Sequence, residues 1–181
     1  MRARNIAKVG AAVAVFACLA AVAVAQSRIE LGPPPQVGAV APAGHKSVYR
    51  LSGVNVTDHV YTTEANEMRR LTESNTYRLD GVAFYVLDQE YKDSVPLYRF
   101  GTAAGRHFLH TDRAAANAEG VKLEGPIGYV DPQPRPGTVP LYGWANPTNG
   151  DCFYTTDRAG EQAPNMGIQS RGIVCYVAPP S

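Results

Sequence analysis

The residues in this chain that could do chemistry fall at three similar places: Asp58-His59, Arg106-His107 with His110 three positions on, and Asp151. Imidazole and carboxylate side chains are the usual proton carriers and metal ligands, so each cluster is a candidate for either task. A structural use of the same residues is the stronger expectation. The Asp would close a turn by bonding local backbone, and the His would pack its ring between strands with one nitrogen satisfied. In the third cluster Cys152 stands where His59 and His107 stand in the others, which suggests a structural position. His107 and His110 would point to opposite faces of a strand and cannot chelate together. No nucleophile motif, phosphate-cradling glycine loop or zinc signature occurs, and Gly101-Thr102-Ala103-Ala104-Gly105 leads into no helix. The expectation is a protein without catalytic residues, cofactor or metal. The runner-up is a small hydrolase using Asp58, His59 and His107.

Aromatic residues form a second candidate set. The chain has 10 Tyr and 1 Trp, and such amphipathic rings suit stacking on sugars or peptides. Tyr49, Tyr85 and their equivalents sit among apolar neighbours and are expected in the interior. Tyr61, Trp144 and Tyr154 lie beside turns, so with Asp58 and Asp151 they make the candidate ligand-binding set, since loops on a rigid scaffold are where binding concentrates. The copies are unequal, which points to one or two competent sites, the second copy being the weakest.

These clusters recur because the chain says nearly the same thing three times. VYRL…DHVYTT…YRLDGVAFYV begins at Val48, LYRF…RHFLHT…VKLEGPIGYV at Leu97, and LYGW…DCFYTT…IQSRGIVCYV at Leu141. A unit of this size cannot bury its apolar face alone. Each copy reads as a short strand, a polar turn, a second strand of β-branched and aromatic residues, a short helical segment after Thr63, Asp112 or Asp157, and a final strand opening at Gly81, Gly125 or Gly172. The fold class is therefore α+β, mainly β: three β-β-short α-β units closed about a pseudo-threefold axis, since closure removes exposed sheet edges. A β-trefoil is the alternative, though it would lack the helical segment after Thr63. The expected boundaries are one domain over residues 47–178 with repeats at about 47–88, 96–131 and 139–178.

Arg2, Arg4 and Lys8 precede an apolar run that ends Ala23-Val24-Ala25, the pattern of a signal peptide over residues 1–25. Cleavage before Cys18 as a lipoprotein is disfavoured by bulky Phe16. Residues 26–46, rich in Pro, Gly and Ala, read as a disordered lead-in. Losing Arg2, Arg4 and Lys8 from 17 basic side chains leaves 14 against 16 acidic, a formal charge near −2. Such a charge gathers neither nucleic acid nor anionic lipid, and no membrane span is expected after cleavage. Cys152 and Cys175, an even pair in an exported chain, are expected to form a disulfide.

The repeat pattern resembles a family of secreted bacterial and fungal proteins reading roughly Y-R-F/L…G-D/T-H-F-Y-T…Y-E-G-V-A-F-Y-V, classed as a domain of unknown function. The resemblance covers Val48 to Val177. It implies an extracellular module, often attached to enzymes or wall proteins, with no catalytic residues to carry over. This chain departs from the pattern at Arg106, Leu109, His110 and Cys152. The expectation is an exported, non-catalytic module for an extracellular or cell-surface glycan, with a purely structural envelope protein as a further alternative.

Overall fold

The computed structural model describes residues 40–180. The expected signal peptide, and the expected lead-in as far as residue 39, lie outside the described residues. The first unit comprises β1 (His45–Gly53), β2 (His59–Thr62), α1 (Ala65–Glu73) and β3 (Tyr77–Leu87). The second comprises β4 (Val95–Thr102), β5 (His107–His110), a 3₁₀ turn (Arg113–Asn117) and β6 (Val121–Val130). The third comprises β7 (Val139–Ala145), β8 (Cys152–Thr155), a 3₁₀ turn (Ala163–Met166) and β9 (Gln169–Val177). β1 thus opens at His45, two residues inside the stretch expected to be lead-in.

The described residues are mainly β, built from two antiparallel sheets and one α-helix. One sheet runs β2-β1-β3-β6-β4-β5 and the other β8-β7-β9. In every unit the opening strand lies between the other two. The same irregularity recurs in each: the ladder slips between Val48 and Tyr49 and between Arg50 and Leu51, and at the matching places in β4 and β7. Gly81, Gly125 and Gly172, expected to open the final strands, lie inside them instead, between the slips and opposite Arg50, Arg99 and Gly143, with φ of 126°, 131° and 85°. Side-chain-bearing residues avoid that backbone, which explains why glycine stands there three times.

The helical segments follow composition. In α1, Met68 and Leu71 cover Leu51, Val60 and Tyr77 as the i, i+3 stripe requires. Thr63 does not cap it: Glu64 is the cap residue, and the Thr62 hydroxyl accepts from its N–H. Asp112 does cap, accepting from the Ala114 N–H, and Asp157 accepts from Ala159 and Glu161. The alanine-rich and Pro164-bearing second and third segments stop at a 3₁₀ turn.

The main core draws on all three units, with Val48 and Phe84, Leu97 and Ile127, and Leu141 and Cys175 packed together. The final strands meet there in cyclic order. Tyr129 pairs with Leu87, Tyr176 exchanges both backbone hydrogen bonds with Asp131, and the Tyr85 N–H donates to Ala178 O. Each landmark tyrosine therefore bridges to the residue two places beyond the landmark tyrosine of the neighbouring unit. Gly128 is required at one such crossing, because a Cβ there would meet Val86 Cγ2 at 2.3 Å.

The expected disulfide is overturned. Both thiols are free, Cys152 on β8 opposite Ala145 and Cys175 on β9 opposite Leu141. These strands flank β7 on opposite sides, so the cysteines stand about 9.5 Å apart across the sheet and about 13 Å along it. A disulfide needs Cα atoms within about 7 Å. The matching residues of the first unit, His59 and Phe84, are held apart in the same way: they lie on β2 and β3, flanking β1, opposite Ser52 and Val48. Burial raises both thiols, Cys152 to about 11 and Cys175 to about 12.

Candidate functional site

The polar clusters at the turn exits are joints between units. The Asp58 carboxylate accepts from the backbone N–H of His107 at 2.8 Å and meets its ring Nδ1 at 2.6 Å, while the Tyr77 hydroxyl donates to the same carboxylate. Asp151 grips His59 in the same way, at 3.0 and 2.8 Å. In the second unit Arg106 takes the aspartate's place and donates through Nε to Asn149 O of the third. The first unit thus reaches the second, the second the third, and the third the first. Sequence reasoning had the aspartates closing their own turns. They hold the neighbouring unit's histidine instead.

His107 is held in its charged form. Burial disfavours the imidazolium, but hydrogen bonding to Asp58 and Glu124 and the charges of both outweigh it, raising its pKa to about 9. Glu124, drawn down by His107 and Arg99, falls to about 2.

Tyr61 and Tyr154 are 1% and 5% exposed and belong to the core. The Tyr61 hydroxyl donates to Tyr154 O and accepts from Tyr154 N–H, and the Tyr154 hydroxyl does the same to the Leu109 backbone. β2, β5 and β8 are sheet edges. Each hydroxyl therefore satisfies an edge strand of the next unit, which is why tyrosine recurs mid-strand. Leu109 has no hydroxyl, and the matching bond to Tyr61 O comes from Arg99 Nη1. Trp144, 8% exposed, packs with Phe153 and Ala163, and Gly160 lies against its ring. All three aromatic candidates are thus packed into the interior rather than set on an exposed face. A ring flanked by turns in sequence can still point inward when the strand carrying it is an edge pressed against another unit.

The remaining candidates, Asp58 and Asp151, line a cleft of about 560 Å³ between the turns of the first and third units. Its other walls are the β1–β2 turn (Gly53 to Thr57), Arg78, Asn146 and Asn149, with Met166 and Ile168 below. Each asparagine oxygen accepts a backbone N–H of its own turn, Asn146 from Thr148 and Asn149 from Asp151. What these amides can offer the cleft is their NH₂ donors. Asp58 and Asp151 are already engaged by histidines. The cleft therefore combines the Arg78 guanidinium, one of whose nitrogens donates to Asp80 at 3.3 Å, amide donors and hydroxyls with the apolar surfaces of Val54, Met166 and Ile168. Arg78, Asn146 and Asn149 were missed by sequence reasoning, because arginine in a strand and asparagine in a turn are commonplace.

Two ion-pair clasps were missed as well. Arg50 donates to Asp80 of its own unit and Glu161 of the third, with its guanidinium 4.9 Å from the centre of the Phe153 ring. Arg99 donates to Glu124 of its own unit and Glu67 of the first. The signal was present in the repeated Tyr-Arg pair and in the acid preceding Gly81 and Gly125.

A family model matches residues 35–118 and again residues 101–178, its two matches overlapping across the second unit. No curated protein and no solved structure matches the chain. Two matches in tandem over a chain of recurring β units leave one assignment: the protein belongs to the family described as domain of unknown function DUF5648.

Proposed function

We propose that this protein is an exported, non-catalytic module whose three units close about a pseudo-threefold axis to present one binding cleft for a glycan. The closure is supported by three sets of contacts in cyclic order: the backbone bridges at Tyr85, Tyr129 and Tyr176, the hydroxyl-to-edge bonds of Tyr61 and Tyr154 with Arg99 as the third, and the turn joints of Asp58, Arg106 and Asp151. Export is supported by the basic, apolar and small-residue order of the first 25 positions.

The observation that carries the binding reading is the cleft of about 560 Å³ with its mixed walls. Sugars present hydroxyl edges beside apolar C–H faces, and amide and guanidinium donors beside Val54, Met166 and Ile168 complement both. Recognition would proceed by hydrogen bonding from the turns, since the rings expected to stack are buried. Against His107 as a general base stands its place between Asp58 and Glu124, which raises its pKa to about 9 and keeps the ring protonated at neutral pH.

A glycan array probed with the mature protein tests the reading. Binding is expected to fall at least tenfold in Arg78→Ala and in Asn149→Ala, and to be unchanged in Glu119→Ala, remote from the cleft in sequence and absent from its lining. A blank array accompanied by tight self-association would replace this reading with that of a structural envelope protein.

A further inference from the structure

The three junctions between units are not alike, and one has lost its clasp entirely. Arg50, Arg99 and Gly143 occupy one register position, opposite Gly81, Gly125 and Gly172 on the final strand and Tyr61, Leu109 and Tyr154 on the edge strand. At the first two junctions this position supplies a guanidinium. Its carboxylate partners come from the residue before the glycine, Asp80 or Glu124, and from the neighbouring unit, Glu67 in α1 or Glu161 just ahead of the third unit's 3₁₀ turn.

At the junction of the second and third units every member differs. Glycine replaces the arginine, and Arg171 replaces the acid. The helical segment of the second unit, Arg113-Ala114-Ala115-Ala116-Asn117, carries no carboxylate. A cavity of about 310 Å³ lies here, lined by Gly143, Arg171, His110, Ile173, Val174 and Trp144 among others. Arg171 has no hydrogen-bond or ion-pair partner among the described residues. Ile173 is 50% exposed, whereas Val82, its register counterpart opposite Tyr49, is buried. His110 Nδ1 lies 2.9 Å from the Asp112 N–H and 3.3 Å from the Asp112 carbonyl oxygen, and in the tautomer that satisfies the shorter contact Nε2 carries the proton.

The charge pattern is inverted: where the other junctions place a protein cation between carboxylates, this one places a protein cation where a carboxylate would be and draws no carboxylate from the neighbouring 3₁₀ turn. We propose that this cavity binds a small organic carboxylate, its charge held by Arg171 and the His110 Nε2–H and its apolar body laid against Ile173 and Val174. Arginine and an imidazole N–H are the donors that charge-assisted recognition of a carboxylate uses. The site is separate from the cleft of the first and third units and does not depend on its glycan reading.

The chain's single Trp lines this cavity, so its emission reports occupancy. The mature protein is titrated with sodium hexanoate and with hexanamide, its uncharged match, while ¹H–¹⁵N spectra follow the Arg171 and His110 amides. Hexanoate should shift the emission saturably and move both amide resonances, with hexanamide at least tenfold weaker. Arg171→Gln should weaken hexanoate at least tenfold with the melting temperature held within a few degrees, and Arg171→Lys should retain most of the affinity. Equal binding of hexanoate and hexanamide, undiminished binding in Arg171→Gln, or no response of either reporter would each overturn the proposal.

Discussion

Single atoms at the joints decide more here than their residue types suggest. The Tyr154 hydroxyl serves both backbone groups of Leu109, so Tyr154→Phe strands a buried N–H and C=O at once. The expected loss is about 1–3 kcal/mol, read as a lower urea midpoint at unchanged m-value. His107 makes a second prediction. Its pKa rises from 6.5 to about 9 on folding, so the stabilisation it brings is complete below pH 6.5 and disappears as the pH climbs through 9. Urea midpoints of the wild-type protein should therefore fall between about pH 7 and pH 10, and those of His107→Gln should fall less. Parallel pH profiles for the two would refute the assignment. The thiols make a third. Alkylation of the denatured, unreduced protein followed by peptide mapping should label Cys152 and Cys175, and a peptide joining the two would contradict the strand order β8-β7-β9.

At the level of elements, the glycines separate into those that turn the chain and those that admit a neighbour. Gly128 combines φ of +155° with a Cβ position 2.3 Å from Val86 Cγ2, where β6 crosses β3. Gly137 has φ of +84° but open space around its Cβ position. Alanine at Gly128 must both strain the backbone and push β3 away, and is expected to cost about 1–3 kcal/mol beyond the strain alone. Gly137→Ala bears only the backbone term, about 1 kcal/mol. Thermal melts of the two variants compare the effects directly, and equal shifts would mean that the β3–β6 approach is looser than it stands.

For the whole molecule, cyclic contacts make each unit depend on both others. Removing the third unit takes Asp151 from His59, the Tyr154 backbone from the Tyr61 hydroxyl, Glu161 from Arg50 and Ala178 from Tyr85. It also uncovers the core around Val48, Phe84 and Leu97. A chain ending at Asp131 should accordingly lose cooperative unfolding, whereas the intact protein should melt in one transition by circular dichroism. Independent folding of the first two units would show that the shared core is dispensable.

The sequence by itself determined the repeat, the order of strands and helical segment within each unit, and the recurrence of glycine in each final strand. All of these are local: they follow from backbone conformations that only glycine tolerates and from apolar spacing along one element. The family could also be read there, because its motifs recur three times in order. Only the tertiary structure decided what the polar and aromatic residues do. Asp58 and Asp151 bond histidines in another unit, Tyr61 and Tyr154 cap another unit's edge strand, and the cysteines fall on opposite sides of β7. Pairing across units depends on how whole sheets dock, and residue spacing along one strand carries no record of which edge lies against which. The candidate cleft and the unclasped junction both lie between units for that reason.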